Sequence, residues 1–199
     1  MLDTINKTIR RVPTWVVYVA GLALAVWVIF DGLSQTDPVR GIEWGLGIWS
    51  LRLLIVTLVV SPLRWGGLNL LRFRRQLGLV AFAFVCLHLL SWLTIDMGLR
   101  WNQILHDLYK RWYILIGMSA FVLLTPLAIS SNNSSIRKLG AKAWNRLHKL
   151  AYPATILAVI HFLMVGKVYT SEMLIYAAVV MAVLVLRLMR NGPRSLIWT

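Results

Sequence analysis

The chain has 199 residues, of which 59% are hydrophobic and only 14% charged, with a mean hydropathy of +0.71. A soluble domain carries about 25% charged residues and could not hide this much apolar surface, so a soluble enzyme or binding module is excluded and one integral membrane domain over residues 1–199 is expected. The formal charge of +14 does not point to nucleic acid, because the basic residues sit in short clusters between apolar runs, as membrane topology requires.

In chain order, the N-terminal segment Met1–Trp15 leads into an apolar run with no small-residue cleavage site, and is expected to stay on the protein rather than act as a signal peptide. Six apolar runs follow: Trp15–Phe30, Gly47–Leu63, Gln76–Ile95, Trp112–Ser130, Leu147–Val165 and Met173–Met189. Most approach the roughly 20 residues that a spanning helix needs. Hydrocarbon does not satisfy the backbone groups of an open sheet edge, so the runs are expected to be helices in an all-α, six-transmembrane-helix bundle.

The basic residues orient these helices. Lys7, Arg10 and Arg11 lie before the first run; Arg64, Arg72, Arg74 and Arg75 lie between the second and third. Arg137, Lys138, Lys142, Arg146 and Lys149 lie between the fourth and fifth, and Arg187, Arg190 and Arg194 at the end. The other connections are poorer in basic residues and hold Asp31, Asp37, Glu43, Asp96, Asp107 and Glu172. This alternation places both termini, including Asn6 and Arg194, on the cytoplasmic side, and Asp37, Asn102 and Gly166 on the other.

Asp37-Pro38 marks a turn in the first outer loop, and Ser130–Ser135 the stop of the fourth helix. Trp15, Trp44, Trp49, Trp65, Trp101, Trp112 and Trp144 fall near the proposed boundaries, as an interfacial belt would. The single cysteine, Cys86, lies inside an apolar run and reads as a small packing residue. There is no GxGxxG or Walker motif, so no nucleotide-binding module is built in.

Chemistry concentrates in the histidines. Three of the four, His88, His148 and His161, lie in or at the edge of the third and fifth apolar runs, whereas His106 lies in an outer segment of mixed charge and reads as solvated. A lone histidine in a membrane helix is often simply hydrogen-bonded to a neighbour; three on two helices make a functional site the better reading. The third and fifth helices run in the same direction. His88 lies 13 residues beyond Arg75, and His161 lies 13 beyond His148. At 1.5 Å per residue both are about 20 Å in from the cytoplasmic boundary, so they match in depth and suit one cofactor between helices 3 and 5. Two imidazoles in an apolar site suggest haem iron with both axial positions filled, which favours electron transfer over oxygen chemistry. Zinc would need further ligands, usually with Cys or carboxylate among them, and none lies at that depth. Without CxxCH the haem is expected to be non-covalent haem b. Gly78 and Ala81 are candidates for making room for the macrocycle, although small residues are common at membrane helix interfaces. His148 and His161 fall roughly 140° apart on an ideal helix, so the haem count, one or two, stays open; Pro153 between them is a candidate kink.

Several motifs carry a resemblance: DPV at Asp37–Val39, SPLR at Ser61–Arg64, RRQLGL at Arg74–Leu79 followed by His88, KRWYILIG at Lys110–Gly117, RKLGAKAWNRLHKLAY at Arg137–Tyr152, and His161. On these the chain resembles the ferric reductase-like transmembrane superfamily, and within it the haem-binding membrane subunits of bacterial methionine sulfoxide reductase systems. Trp112 stands where a proline is expected in the KRPY-like segment. The resemblance covers most of the chain. It implies His88, His148 and His161 as the haem-ligand and metal-binding residues, with FMN as a further cofactor in some accounts. It implies electrons from a cytoplasmic flavin reductase or the quinone pool, delivered to a periplasmic molybdopterin methionine sulfoxide reductase catalytic subunit that repairs oxidised proteins. It also implies the bacterial inner membrane. Related oxidases and ferric reductases carry a fused flavin domain; none follows within these 199 residues, so electrons are expected from another molecule and no substrate chemistry is expected in this chain.

Two other classes compete with an electron-transfer subunit. A transporter with histidines along its pathway would show inverted repeats or broken helices, and neither is evident. A structural membrane subunit would have no need of interior histidines.

Overall fold

A computed structural model describes residues 2–166 and 169–191; the expectation for Arg194 lies outside these residues. Among the described residues the regular secondary structure is helical. They form α1 (Leu2–Arg11), α2 (Val16–Leu33), α3 (Pro38–Trp65), α4 (Arg74–Ser91), α5 (Trp101–Lys110), α6 (Trp112–Ile129), α7 (Asn133–Leu147), α8 (Ala151–Val165) and α9 (Ser171–Asn191). Six helical segments are long and apolar enough to cross a membrane, as expected: Val16–Leu33, Pro38–Trp65, Leu71–Asp96, Trp112–Ile129, Asn133–Val165 and Ser171–Arg190. The chain is therefore a multi-pass membrane protein. Many large apolar side chains face outward, among them Leu22, Phe30, Val122 and Ile129. Lipid satisfies such surfaces and water would not.

The chain divides into two compact units, Met1–Leu105 and His106–Thr199. In the first, α3 packs against both α2 and α4. The core joins Ala25 and Val28 of α2, Ile42 and Leu46 of α3, and Val80 and Phe84 of α4. In the second, α8 packs mainly on α6 and also on α9.

Three local features differ from the expectation. First, the second spanning helix begins at Pro38 rather than near Gly47. Asp37 is its N-cap, with a side-chain oxygen accepting from the Arg40 N–H at 3.1 Å, and Pro38 occupies the first helical position, where its missing N–H costs nothing. Arg40 and Glu43, which look like loop residues by polarity, are thus helical. Second, the basic connection is itself a helix, α7, capped by Asn132, whose side chain accepts from the Ser135 N–H at 2.8 Å. It is broken at Gly140, whose φ of 77° lies in the region where glycine avoids Cβ strain. Third, Pro153 sits in the first turn of α8, where no intrahelical donor is lost, so it has no need to kink the helix. The break between His148 and His161 lies earlier, in a 3₁₀ turn over His148–Leu150.

Trp112 opens α6 directly after the Arg111 N-cap. Proline is favoured at that position, but any residue that starts a helix serves there, and the departure from the motif leaves the helix entry in place.

Candidate functional site

His88 lies on α4, fourteen residues after the helix begins at Arg74. Its ring is half-buried against α3, with Nδ1 2.9 Å from the backbone carbonyl of Glu43. One helical turn further along α3, Gly47 lies beneath the ring; a Cβ there would sit 3.1 Å from His88 Cε1 and 3.2 Å from Nδ1. A side chain there would press the imidazole away from the helix by a few tenths of an ångström.

The second unit repeats this arrangement. His161 lies on α8 with Nδ1 2.7 Å from the backbone carbonyl of Tyr113 on α6. Gly117, again four residues further on, lies beneath the ring, and a Cβ there would meet Nδ1 at 2.8 Å and Cε1 at 2.9 Å. A carbonyl oxygen only accepts, so each Nδ1 must be the protonated nitrogen. In that tautomer the lone pair resides on Nε2. A neutral imidazole whose Nδ1–H is held by a backbone carbonyl is the usual form of a metal-ligating histidine.

His148 is set differently. It lies in the 3₁₀ turn, about 20 Å along the axis from His161. Its Nε2 lies 3.1 Å from Ser130 Oγ. Its ring stacks on Trp144 with centroids 3.8 Å apart and planes at 27°. The Trp144 indole N–H donates to the Ser130 carbonyl at 2.9 Å, which locks the pair onto the end of α6. Trp144 is therefore a packing partner of His148 in addition to lying near a proposed membrane boundary.

His106 is exposed, as expected, but on helix α5 rather than in a loop. The buried carboxylate beside it, Asp107, pairs with Arg111 Nε at 3.4 Å. A Cβ at Gly78 would make only an ordinary contact with Thr57 of α3, at 3.8 Å, and Ala81 is fully buried. Gly47 and Gly117, each four residues after the carbonyl that holds a histidine, carry no local sequence signal that marks them out.

Among the described residues, no group of three or more His, Cys, Asp or Glu side chains gathers into a metal site. His88 and His161 each contribute a single imidazole, which fits a metal that brings its other donors with it, as haem iron would with its macrocycle.

The profile of the family described as "Ferric reductase like transmembrane component" matches residues 44–159, a stretch that holds His88 and His148 and ends two residues before His161. That defines the class: a helical membrane component built on the ferric reductase plan. Among curated relatives, the "Protein-methionine-sulfoxide reductase heme-binding subunit MsrQ" of Brucella anthropi is 45% identical over 196 residues, covering 96% of this chain and 89% of that protein. The proteins of the same name from Brucella ovis and Brucella melitensis biotype 2 are each 46% identical over 185 residues, covering 91% of this chain and 84% of theirs. The chain belongs to the MsrQ family within the ferric reductase-like transmembrane proteins.

Proposed function

We propose that this protein is a b-type haem electron-transfer subunit of a methionine sulfoxide reductase system, with His88 and His161 as the residues that would hold one haem. The observation that carries this reading is their common setting: each Nδ1 faces a backbone carbonyl, at 2.9 and 2.7 Å, above a glycine. Their equal spacing in the sequence, 13 residues beyond Arg75 for His88 and 13 beyond His148 for His161, supports assigning them to the same haem. A haem held there would supply a one-electron couple. The chain's own residues orient the two rings, hold each Nδ1 proton on a carbonyl and surround the site with apolar side chains.

In this reading electrons travel outward. The donor is a cytoplasmic flavin reductase or membrane quinol, and the acceptor is a periplasmic molybdopterin methionine sulfoxide reductase catalytic subunit. The protein lies in the bacterial inner membrane with both termini cytoplasmic, and residues 1–199 act as one transmembrane haem-binding domain. The hydrogen bonds from the Asn6 side chain to the Gly67 carbonyl (2.8 Å) and from the Asn69 N–H to Asn6 (3.0 Å) support the orientation, since they tie α1 to the basic α3–α4 connection. Arg72 also reaches the carbonyls of Ile9 and Arg10.

His148, near the cytoplasmic end, is the third haem-ligand residue implied by the family. As a second haem ligand or a flavin-side contact, it would divide the inner gap of about 20 Å to His161; FMN belongs to this proposal. The test is a reduced-minus-oxidised spectrum of the purified protein, with haem extraction and flavin quantification. A low-spin b-type signal is expected. Purified, folded protein that binds no haem on reconstitution would overturn the reading.

A further inference from the structure

Residues 43–47 (EWGLG) and 113–117 (YILIG) share little sequence beyond the final glycine, yet each does the same work in its own unit. The first residue lends its backbone carbonyl to a histidine Nδ1, and the fifth, one turn on, leaves the space that the ring fills. The carbonyl and the glycine lie on one face because four residues are about one helical turn. The histidine comes in each case from the helix that packs most extensively on that face: α4 on α3, and α8 on α6.

We propose that Gly47 and Gly117 are matched positioning residues, which seat His88 and His161 against backbone carbonyls so that each ring presents Nε2, at a set orientation, as its ligating atom. The inference rests on the haem-ligand reading above. A methyl group would stand 3.1 Å from the His88 ring at Gly47 and 2.8 Å from the His161 ring at Gly117. The ring is a stiff body on the far helix, so it tilts or withdraws, and the Nδ1–H···O=C bond lengthens. That bond raises the basicity of the ligating nitrogen, and a more basic ligand favours ferric over ferrous iron. Loosening it therefore moves the midpoint potential upward and weakens haem retention.

Gly45 provides the control. It lies on the same helix as Gly47, and a Cβ there would also be crowded, 2.9 Å from Val28 Cγ1, but against an aliphatic side chain of α2 instead of a histidine. Gly45→Ala, Gly47→Ala and Gly117→Ala are compared in the full-length haem-loaded protein by electron paramagnetic resonance, redox titration and thermal unfolding. Gly45→Ala is expected to unfold at lower temperature with wild-type g-values and potential. Gly47→Ala and Gly117→Ala are expected to shift the low-spin g-values and raise the potential, with faster loss of haem to an acceptor apoprotein. Wild-type g-values and potential in both variants would overturn the proposal, as would the same spectral change in Gly45→Ala. Should the alanine variants not fold, wild-type protein labelled with ¹⁵N-histidine answers through hyperfine spectroscopy. Both remote nitrogens are expected to be Nδ1 carrying an exchangeable proton, and a bare remote nitrogen or Nδ1 ligation refutes the proposal. Folded wild-type protein without a low-spin haem signal would instead refute the function reading, and the inference with it.

Discussion

Replacing His161 with glycine separates its role as ligand from its role in packing. In the folded chain the half-buried ring donates one hydrogen bond to Tyr113, at 2.7 Å, and lies over Gly117. Tyr113 lies within α6, so its carbonyl keeps a partner in the helix ladder when the imidazole is gone. The structural loss includes the hydrogen bond to Tyr113, about 1 kcal/mol, and the cavity left by a partly buried ring. That cavity adds roughly 1–3 kcal/mol, below the 3–5 kcal/mol of a fully buried aromatic. The fold should survive. Ligation should not: loss of an outer-shell hydrogen bond alone costs about 10–100-fold in metal affinity, and removing the ligand costs more. The purified variant is therefore expected to keep a wild-type helical circular dichroism spectrum and to lose the low-spin haem signal. Added imidazole, small enough for the vacated space, should restore part of that signal. His88→Gly should behave the same way, and His148→Gly should retain at least part of the signal. A folded His161→Gly protein that keeps unchanged low-spin g-values without imidazole would refute the assignment. Equal and complete loss from all three variants, each folded, would count against pairing His88 with His161.

Removing the Asp37 cap by Asp37→Ala should cost about 0.5–2 kcal/mol and speed amide exchange over the first turn of α3, with little change in a haem spectrum, because Glu43 lies more than a turn further in. Unchanged exchange at Arg40 would show that the cap is not formed. Ser130→Ala should destabilise the protein by about 1–3 kcal/mol, read as a lower unfolding temperature, since the buried hydroxyl bonds both the Pro126 carbonyl at 2.6 Å and His148 Nε2 at 3.1 Å. An unaltered unfolding temperature would argue that these bonds contribute nothing. For topology, single cysteines at Asp37, Asn102 or Gly166 in a Cys86→Ala background should react with an impermeant reagent from outside intact cells, whereas one at Asn6 should react only after permeabilisation. Reaction at Asp37→Cys only after permeabilisation would reverse the orientation.

Much of this protein is decided by composition and by the order of charges along the chain. Six apolar runs in a chain with only 14% charge have no stable solution except membrane helices, because hydrocarbon leaves an unpaired backbone nowhere to bond. Interior histidines stand out for the same reason, so His88 and His161 are visible before any packing is known. Less visible was where polar residues end a helix and where they continue it. Glu43 and Arg40 look like loop residues by polarity, yet the Asp37-Pro38 cap carries α3 through them. The tautomer of each histidine, and the glycine that makes its seat, depend on which helix turn faces which ring. That register is set by side-chain packing between α3 and α4 and between α6 and α8, residues 45 and 48 positions apart in the chain. No local pattern in the sequence encodes a backbone carbonyl as a partner, since every residue has one, and only the tertiary structure selects Glu43 and Tyr113.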